Sequence, residues 1–134
     1  QRMTELREQK IAGIAKILPQ QTVLGPEQGE LLVVGWGGTA GAIRSAVERV
    51  QQRGGSVAWC QIRHLHPMPT NLGRILANYR RILVPELNLG QLRYVLRANF
   101  GVEAAGLNKV QGKPFLISEI EAKISEMLSD GKRS

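Results

Sequence analysis

The chain has 134 residues, of which 43% are hydrophobic and 22% charged, and its formal net charge is +7. That length suits one domain with a real core, and that composition excludes disorder for its body. The only cysteine, Cys60, excludes an internal disulfide and a multi-cysteine zinc site and suits a reducing, cytoplasmic setting.

Taken in chain order, Met3, Leu6, Ile11, Ile14, Ala15 and Ile17 recur at helical spacing, which predicts an amphipathic helix that Pro19 stops. We assign residues 1–18 to a linker helix and 19–134 to the domain itself. The first residue is Gln1 rather than Met, which points to a segment of a longer chain. Gln21 to Gly25 reads as a short extended piece closed by Gly25-Pro26, suited to a sheet edge. Leu31 to Val34 is apolar on both faces, as a central strand covered on both sides should be. A glycine turn, Gly35 to Thr39, leads into a helix through Ile43, Ala46, Val47 and Val50 that Gly54-Gly55 should cap.

A second strand follows from Ser56 to Ile62, then a proline-restricted turn from His64 to Pro69 and a helix from Asn71 to Tyr79. Arg81 to Pro85 reads as a third buried strand, Leu89 to Phe100 as a helix, and Val102 to Leu107 as a weak strand. Ser118 and Glu121 have capping-box spacing before a last helix through Ile120, Ile124, Met127 and Leu128. Strands alternating with helices predict an α/β domain whose sheet is mostly parallel and covered on both faces. No apolar run approaches the roughly 18 residues of a membrane helix, so no membrane role is expected. The basic residues are scattered, and only two Phe and two Tyr are present, which disfavours nucleic acid as a partner.

The glycine turn is the first candidate site. Gly35, Gly37 and Ala40 fit the loose pattern G-x-G-x-x-A between a strand and a helix. The acidic ribose ligand of a dinucleotide site is missing, because Gly55 to His66 holds no Asp or Glu, and no Gly-Lys-Ser/Thr makes a P-loop. Two readings stand: a tight turn with Thr39 as N-cap, or an anion held on the N–H groups of Gly37, Gly38 and Thr39. His64 and His66 follow a strand, but a metal would need a further ligand such as Glu86, so no metal is expected. Glu86, Asn88 and Gln91 gather a carboxylate and two amides at a helix start, where Asn88 could cap and Glu86 could tie down backbone N–H groups or move a proton. Cys60, mid-strand beside Trp59, reads as a buried, inert thiol. Lys109 and Lys113, in a polar loop, are solvated or contact an anion. Nowhere do a paired acid and base occur in one segment, so no residue is assigned as catalytic.

Four motifs in order, GWGGTAGAI (Gly35 to Ile43), RHLHPMPTNLG (Arg63 to Gly73), VPELNLGQL (Val84 to Leu92) and GLNKVQGKPF (Gly106 to Phe115), carry a resemblance over about residues 5 to 128. The chain resembles the C-terminal domain of the α subunit of 2-oxoacid:ferredoxin oxidoreductases, especially the 2-oxoglutarate type. It departs from the common pattern at Gly38, where many members carry Ser, and at His66, where Asn is frequent. The resemblance implies a transketolase C-terminal-like fold: a three-layer α/β/α sandwich around a five-stranded, mostly parallel sheet with one antiparallel edge strand, here the segment near Gln21. It implies a parent enzyme that uses thiamine diphosphate, magnesium, an iron–sulfur cluster and coenzyme A, with none of these held in this domain. It implies as partners the other domains of the same subunit, the β subunit and, for the holoenzyme, ferredoxin. The expected role is non-catalytic packing and assembly, with Trp36, His64, His66, Glu86, Asn88 and Gln91 as interface candidates. The alternatives are an anion-binding module for coenzyme A or a nucleotide, and a docking face for an acidic electron carrier.

Overall fold

A computed structural model describes residues 20–63, 69–86, 91–109 and 113–133. The expected linker helix at 2–17 lies outside the described residues. The elements run β1 (Gly29–Trp36), a 3-10 turn (Gly37–Thr39), α1 (Ala40–Gln52), β2 (Val57–Ile62), α2 (Leu72–Ala77), β3 (Tyr79–Glu86), α3 (Gln91–Phe100), β4 (Ala105–Asn108) and α4 (Ile117–Arg133). The strands form one sheet in the order β2-β1-β3-β4, and every ladder is parallel.

Alternation along β1 divides the core. Leu31 and Val33 face a layer built from Ile43, Ala46, Val47 and Val50 of α1 and Ile120, Ile124 and Met127 of α4. Leu32 and Val34 face the opposite layer, with Leu72 and Leu76 of α2 and Leu92 and Leu96 of α3. The result is the expected three-layer sandwich. A fully buried Leu or Ile contributes about 1.5–3 kcal/mol against about 1 kcal/mol for a hydrogen bond, so these two apolar layers dominate the stability.

Several local expectations shift. The antiparallel strand expected near Gln21 is reduced, among the described residues, to one antiparallel bridge between Leu24 and Trp59. The physical reason is competition for the backbone. The Gln21 N–H donates to Asn71 Oδ1 (2.9 Å) and Asn71 Nδ2 donates to the Gln21 carbonyl (2.9 Å), so a side-chain amide takes what a ladder would use. That same commitment keeps Asn71 from capping α2. Tyr79 leaves the predicted helix because it opens β3, and its hydroxyl donates to the Pro26 carbonyl (2.6 Å).

The helix ends obey local rules, though not always at the expected residue. The Gly54 N–H donates to Gln51 O (2.9 Å) and the Gly55 N–H to Val50 O (3.0 Å), the two bonds of a Schellman cap, with Gly54 at φ +84°. At the start of α4, Ser118 is already inside the helix. Glu119 performs the box instead, its Oε1 accepting from the Leu116 N–H at 2.9 Å. Its partner in the expected box, Glu121, reaches across to α1 and pairs with Arg53 at 2.6 Å.

Candidate functional site

The strand order places a crossover reversal between β1 and β3, since β1 leads to β2 on one side and the chain returns to β3 on the other. Open α/β sheets bind ligands or partners beyond the carboxyl ends of strands at such a point. Here the two strands part early. Pairing of β1 with β2 runs to Trp36↔Ile62, but pairing with β3 stops at Val33↔Leu83. Pro85 therefore lies beyond the β1 ladder while staying paired with Leu107 of β4, so its missing N–H costs nothing on the β1 side.

The glycine turn caps the end of β1. Gly37 takes φ +73°, a left-handed conformation that a side chain would strain. Gly35 is close-packed instead: a Cβ there would sit 2.2 Å from Gln61 Oε1 and 2.6 Å from Ile43 Cδ1. Thr39 is buried, and its hydroxyl does not cap the helix N–H groups as expected but donates back to the Trp36 carbonyl at 3.3 Å. The turn Gly37–Thr39 already continues into α1 with helical dihedrals at Thr39, which denies its side chain the extended backbone that N-capping uses.

Gln61 is a residue that the sequence reading passed over. Its Nε2 donates to the Gly37 carbonyl (3.1 Å), and its Oε1 accepts from Trp59 Nε1 (3.3 Å), which locks the glycine turn to β2. The signal was present as a polar residue at the end of an otherwise apolar strand. Trp36 is half-buried and Gly38 exposed at the same edge.

At the end of β3, Glu86 is only 6% exposed. Its Oε1 accepts from the Leu92 N–H (2.6 Å) and its Oε2 from the Arg93 N–H (3.4 Å), so the carboxylate sits on the first turn of α3. A helix start carries partial positive charge, which favours the ionised carboxylate there. Gln91, the first residue of α3, is exposed. The Lys109 N–H donates to the Glu86 carbonyl (3.2 Å), joining β4 to this corner. The Lys109 ammonium is paired with Glu119, and Lys113 is exposed. His64, His66 and Asn88 lie outside the described residues.

This corner is built, but its groups are committed to one another. Glu86 holds a helix, Thr39 and Gln61 hold the glycine turn, and Lys109 holds Glu119. Among the described residues no group of three His, Cys, Asp or Glu could hold a metal, and no helix is long and apolar enough to cross a membrane. Cys60 is buried in the core, and burial pushes its thiol up to about 12. A cluster of iron and sulfur needs several thiolates, so Cys60 does not fit as a ligand.

A family model described as pyruvate:ferredoxin oxidoreductase core domain II matches residues 29–120. The chain belongs to this family. It is 44% identical to the 2-oxoglutarate oxidoreductase subunit KorA of Mycobacterium tuberculosis over 88% of its own length and 18% of that protein. It is 30% identical to the 2-oxoacid:ferredoxin oxidoreductase subunit alpha of Saccharolobus solfataricus over 99% of its length and 22% of that protein. The chain thus spans about a fifth of the length of these curated relatives. Among solved structures it superposes on a 2-oxoglutarate:ferredoxin oxidoreductase from Magnetococcus marinus with a TM-score of 0.87 at 26% identity, covering 94% of this chain and 23% of that one. A split-gene transketolase, an inactive β4 tetramer, matches with a TM-score of 0.62 at 17% identity, over 82% of this chain and 41% of that one, which supports the transketolase C-terminal-like fold. The family resemblance carried by the four motifs is therefore shown.

Proposed function

We propose that this domain II is a non-catalytic structural part of a 2-oxoacid:ferredoxin oxidoreductase α subunit, packing on the catalytic domains and supporting assembly with the β subunit. One observation carries the reading: the edge where α/β domains place their chemistry has its buried polar groups, Thr39 and Glu86, tied to backbone. The parent enzyme in this reading is cytoplasmic and oxidises a 2-oxoacid, 2-oxoglutarate by the names of its relatives. Thiamine diphosphate, magnesium, an iron–sulfur cluster and coenzyme A belong to its other domains and subunit, and ferredoxin is its acceptor. Trp36, Gly38 and Gln91, which stand at the sheet edge, are the contact residues for the neighbouring domain. An anion-binding role gains no support, because Lys109 is committed to Glu119.

The test places Gly38→Arg and Gln91→Arg together in the full α subunit, co-expressed with its β subunit. Both positions are exposed, so folding should survive. The expected outcome is loss of α–β assembly or of 2-oxoglutarate turnover of about tenfold or more, read by size-exclusion chromatography and by reduction of a viologen dye. Unchanged assembly with unchanged turnover would overturn the reading.

A further inference from the structure

The two helix layers differ in charge. In the layer of α1 and α4, bases and acids answer one another: Arg44 pairs with Glu48, Arg49 and Arg53 with Glu121, and Lys123 with Glu126. The stretch that builds the other layer is different in kind. From Gly54 to Ala104 the chain holds six arginines, no lysine and two acids, Glu86 and Glu103. Glu86 is buried on the first turn of α3 and presents no charge outward, which leaves Glu103, exposed just past the end of α3, as the one outward acid against those arginines.

Three of those arginines have local employment. Arg80 lies 3.5 Å from Glu30, Arg81 donates to the Met127 carbonyl, and Arg93 donates to the Ala104 carbonyl. Arg74 on α2 and Arg97 on α3 are exposed, and among the described residues neither has an acidic partner. The two helices touch: a Cβ on Gly73 would come within 3.2 Å of the Phe100 ring, so Arg74 follows directly on the contact between α2 and the last turn of α3. One turn before Arg97 stands Tyr94, 75% exposed. Tyr and Arg are, with Trp, the side chains enriched among the residues that carry binding energy at protein interfaces.

We propose that the outer face of α2 and α3, centred on Arg74, Tyr94 and Arg97, is a reversible docking surface for an acidic protein, the electron acceptor of the parent enzyme. This rests on the reading given under Proposed function. Charge complementarity selects an acidic partner. Polarity selects a transient one: around Tyr94 the exposed positions of α3 beyond its first residue are Arg97, Ala98 and Asn99, whereas permanent interfaces resemble a core cut in half. An unpaired arginine face would accelerate encounter and set specificity more than it would hold a complex.

The experiment uses the holoenzyme of α and β subunits with 2-oxoglutarate, coenzyme A and ferredoxin as acceptor, and a parallel assay with a viologen dye. In Arg74→Glu/Arg97→Glu the KM for ferredoxin should rise about tenfold at low ionic strength, with kcat and dye reduction unchanged. The difference should shrink at about 0.5 M salt, where screening removes charge steering. Tyr94→Ala should raise the same KM by a smaller factor that salt does not change. Arg44→Glu, on the balanced layer, should leave it unmoved. The proposal is overturned by an unmoved KM in the double variant, by an equal effect of Arg44→Glu, by an effect indifferent to salt, or by loss of the β subunit, which would make the face a permanent interface. Absence of dye reduction in the unaltered holoenzyme would instead break the reading of the parent enzyme.

Discussion

Glu86 shows how one carboxylate can be structural at a position where chemistry is expected. It is buried, it follows a strand, and it faces a helix start, which are also the conditions for a proton-transfer group. What favours the structural role is what the two oxygens hold. Both accept from backbone N–H groups of α3, at 2.6 and 3.4 Å, so the carboxylate is held as an ionised acceptor on the helix start. Glu86→Gln keeps the size but turns an NH2 group toward one of two donors. It should cost about 1–2 kcal/mol, and Glu86→Ala about 1–3 kcal/mol, because the first turn of α3 loses its acceptor in a dry place. Urea unfolding measures both, and a cost near zero for Glu86→Ala would show that solvent reaches this corner.

Residues also mark where sequence reading stops. The capping of α1 by Gly54 was legible, because a left-handed glycine after a helix needs only local information. The role of Gln61 was not, because it depends on a turn 24 positions away in the chain coming to rest beside β2. Thr39 failed as the predicted cap, and Asn71 does not cap α2, for the same kind of reason. Each has a competing partner, the Trp36 carbonyl for one and the Gln21 backbone for the other, and the winner is decided by tertiary placement. Propensity names the residues able to cap; it does not say what else will reach them.

At the scale of elements, the sheet's two outer strands are guarded by side chains. On β2, Gln51 Nε2 donates to the Val57 carbonyl (3.0 Å), Gln21 Nε2 donates to the Gln61 carbonyl (3.0 Å), and Leu24 takes both groups of Trp59. On β4, Arg93 covers the sheet face at Gly106 and donates to the carbonyl of Ala104, just before the strand, at 3.1 Å. Open strand edges invite pairing with other chains, and among the described residues the contacts on β2 occupy part of that edge. Helices are joined in a similar way. Glu121 of α4 binds Arg53 and Arg49 of α1, and the hydrogen bond from Arg53 holds its carboxyl below the ordinary range. A carboxyl depressed in the folded state stabilises the fold above its unfolded value, and that contribution fades as pH falls through the folded value. Glu121→Gln should therefore be less stable than the unaltered chain at about pH 6–7, and the gap should narrow as pH falls below the ordinary carboxylate range. Urea midpoints across that range test the sign, and a gap that widens with acid would reverse it.

The whole molecule is two apolar layers divided by a sheet, and the alternation of β1 determines which layer each side chain joins. This division was legible in LLVV, which is apolar on both faces, and it explains why the architecture was easier to read than any cap. Periodicity sums over many residues, whereas a cap is decided by one contact. The division also predicts how damage combines. Ile124 lies in the layer of α1 and α4, and Ile82 in the layer of α2 and α3, with no shared cavity between them. Ile124→Val and Ile82→Val should each cost about 0.5–1.5 kcal/mol. If the sheet insulates the layers, the double variant should cost their sum to within about 0.5 kcal/mol in urea unfolding. A larger departure would mean that packing changes pass through β3, whose Leu83 faces one layer while Ile82 and Val84 face the other. That outcome would turn β3 from a partition into a route by which the arginine face and the α1 and α4 layer sense each other. Additivity would keep them separate, and substitutions on α2 and α3 could then be read as surface effects alone.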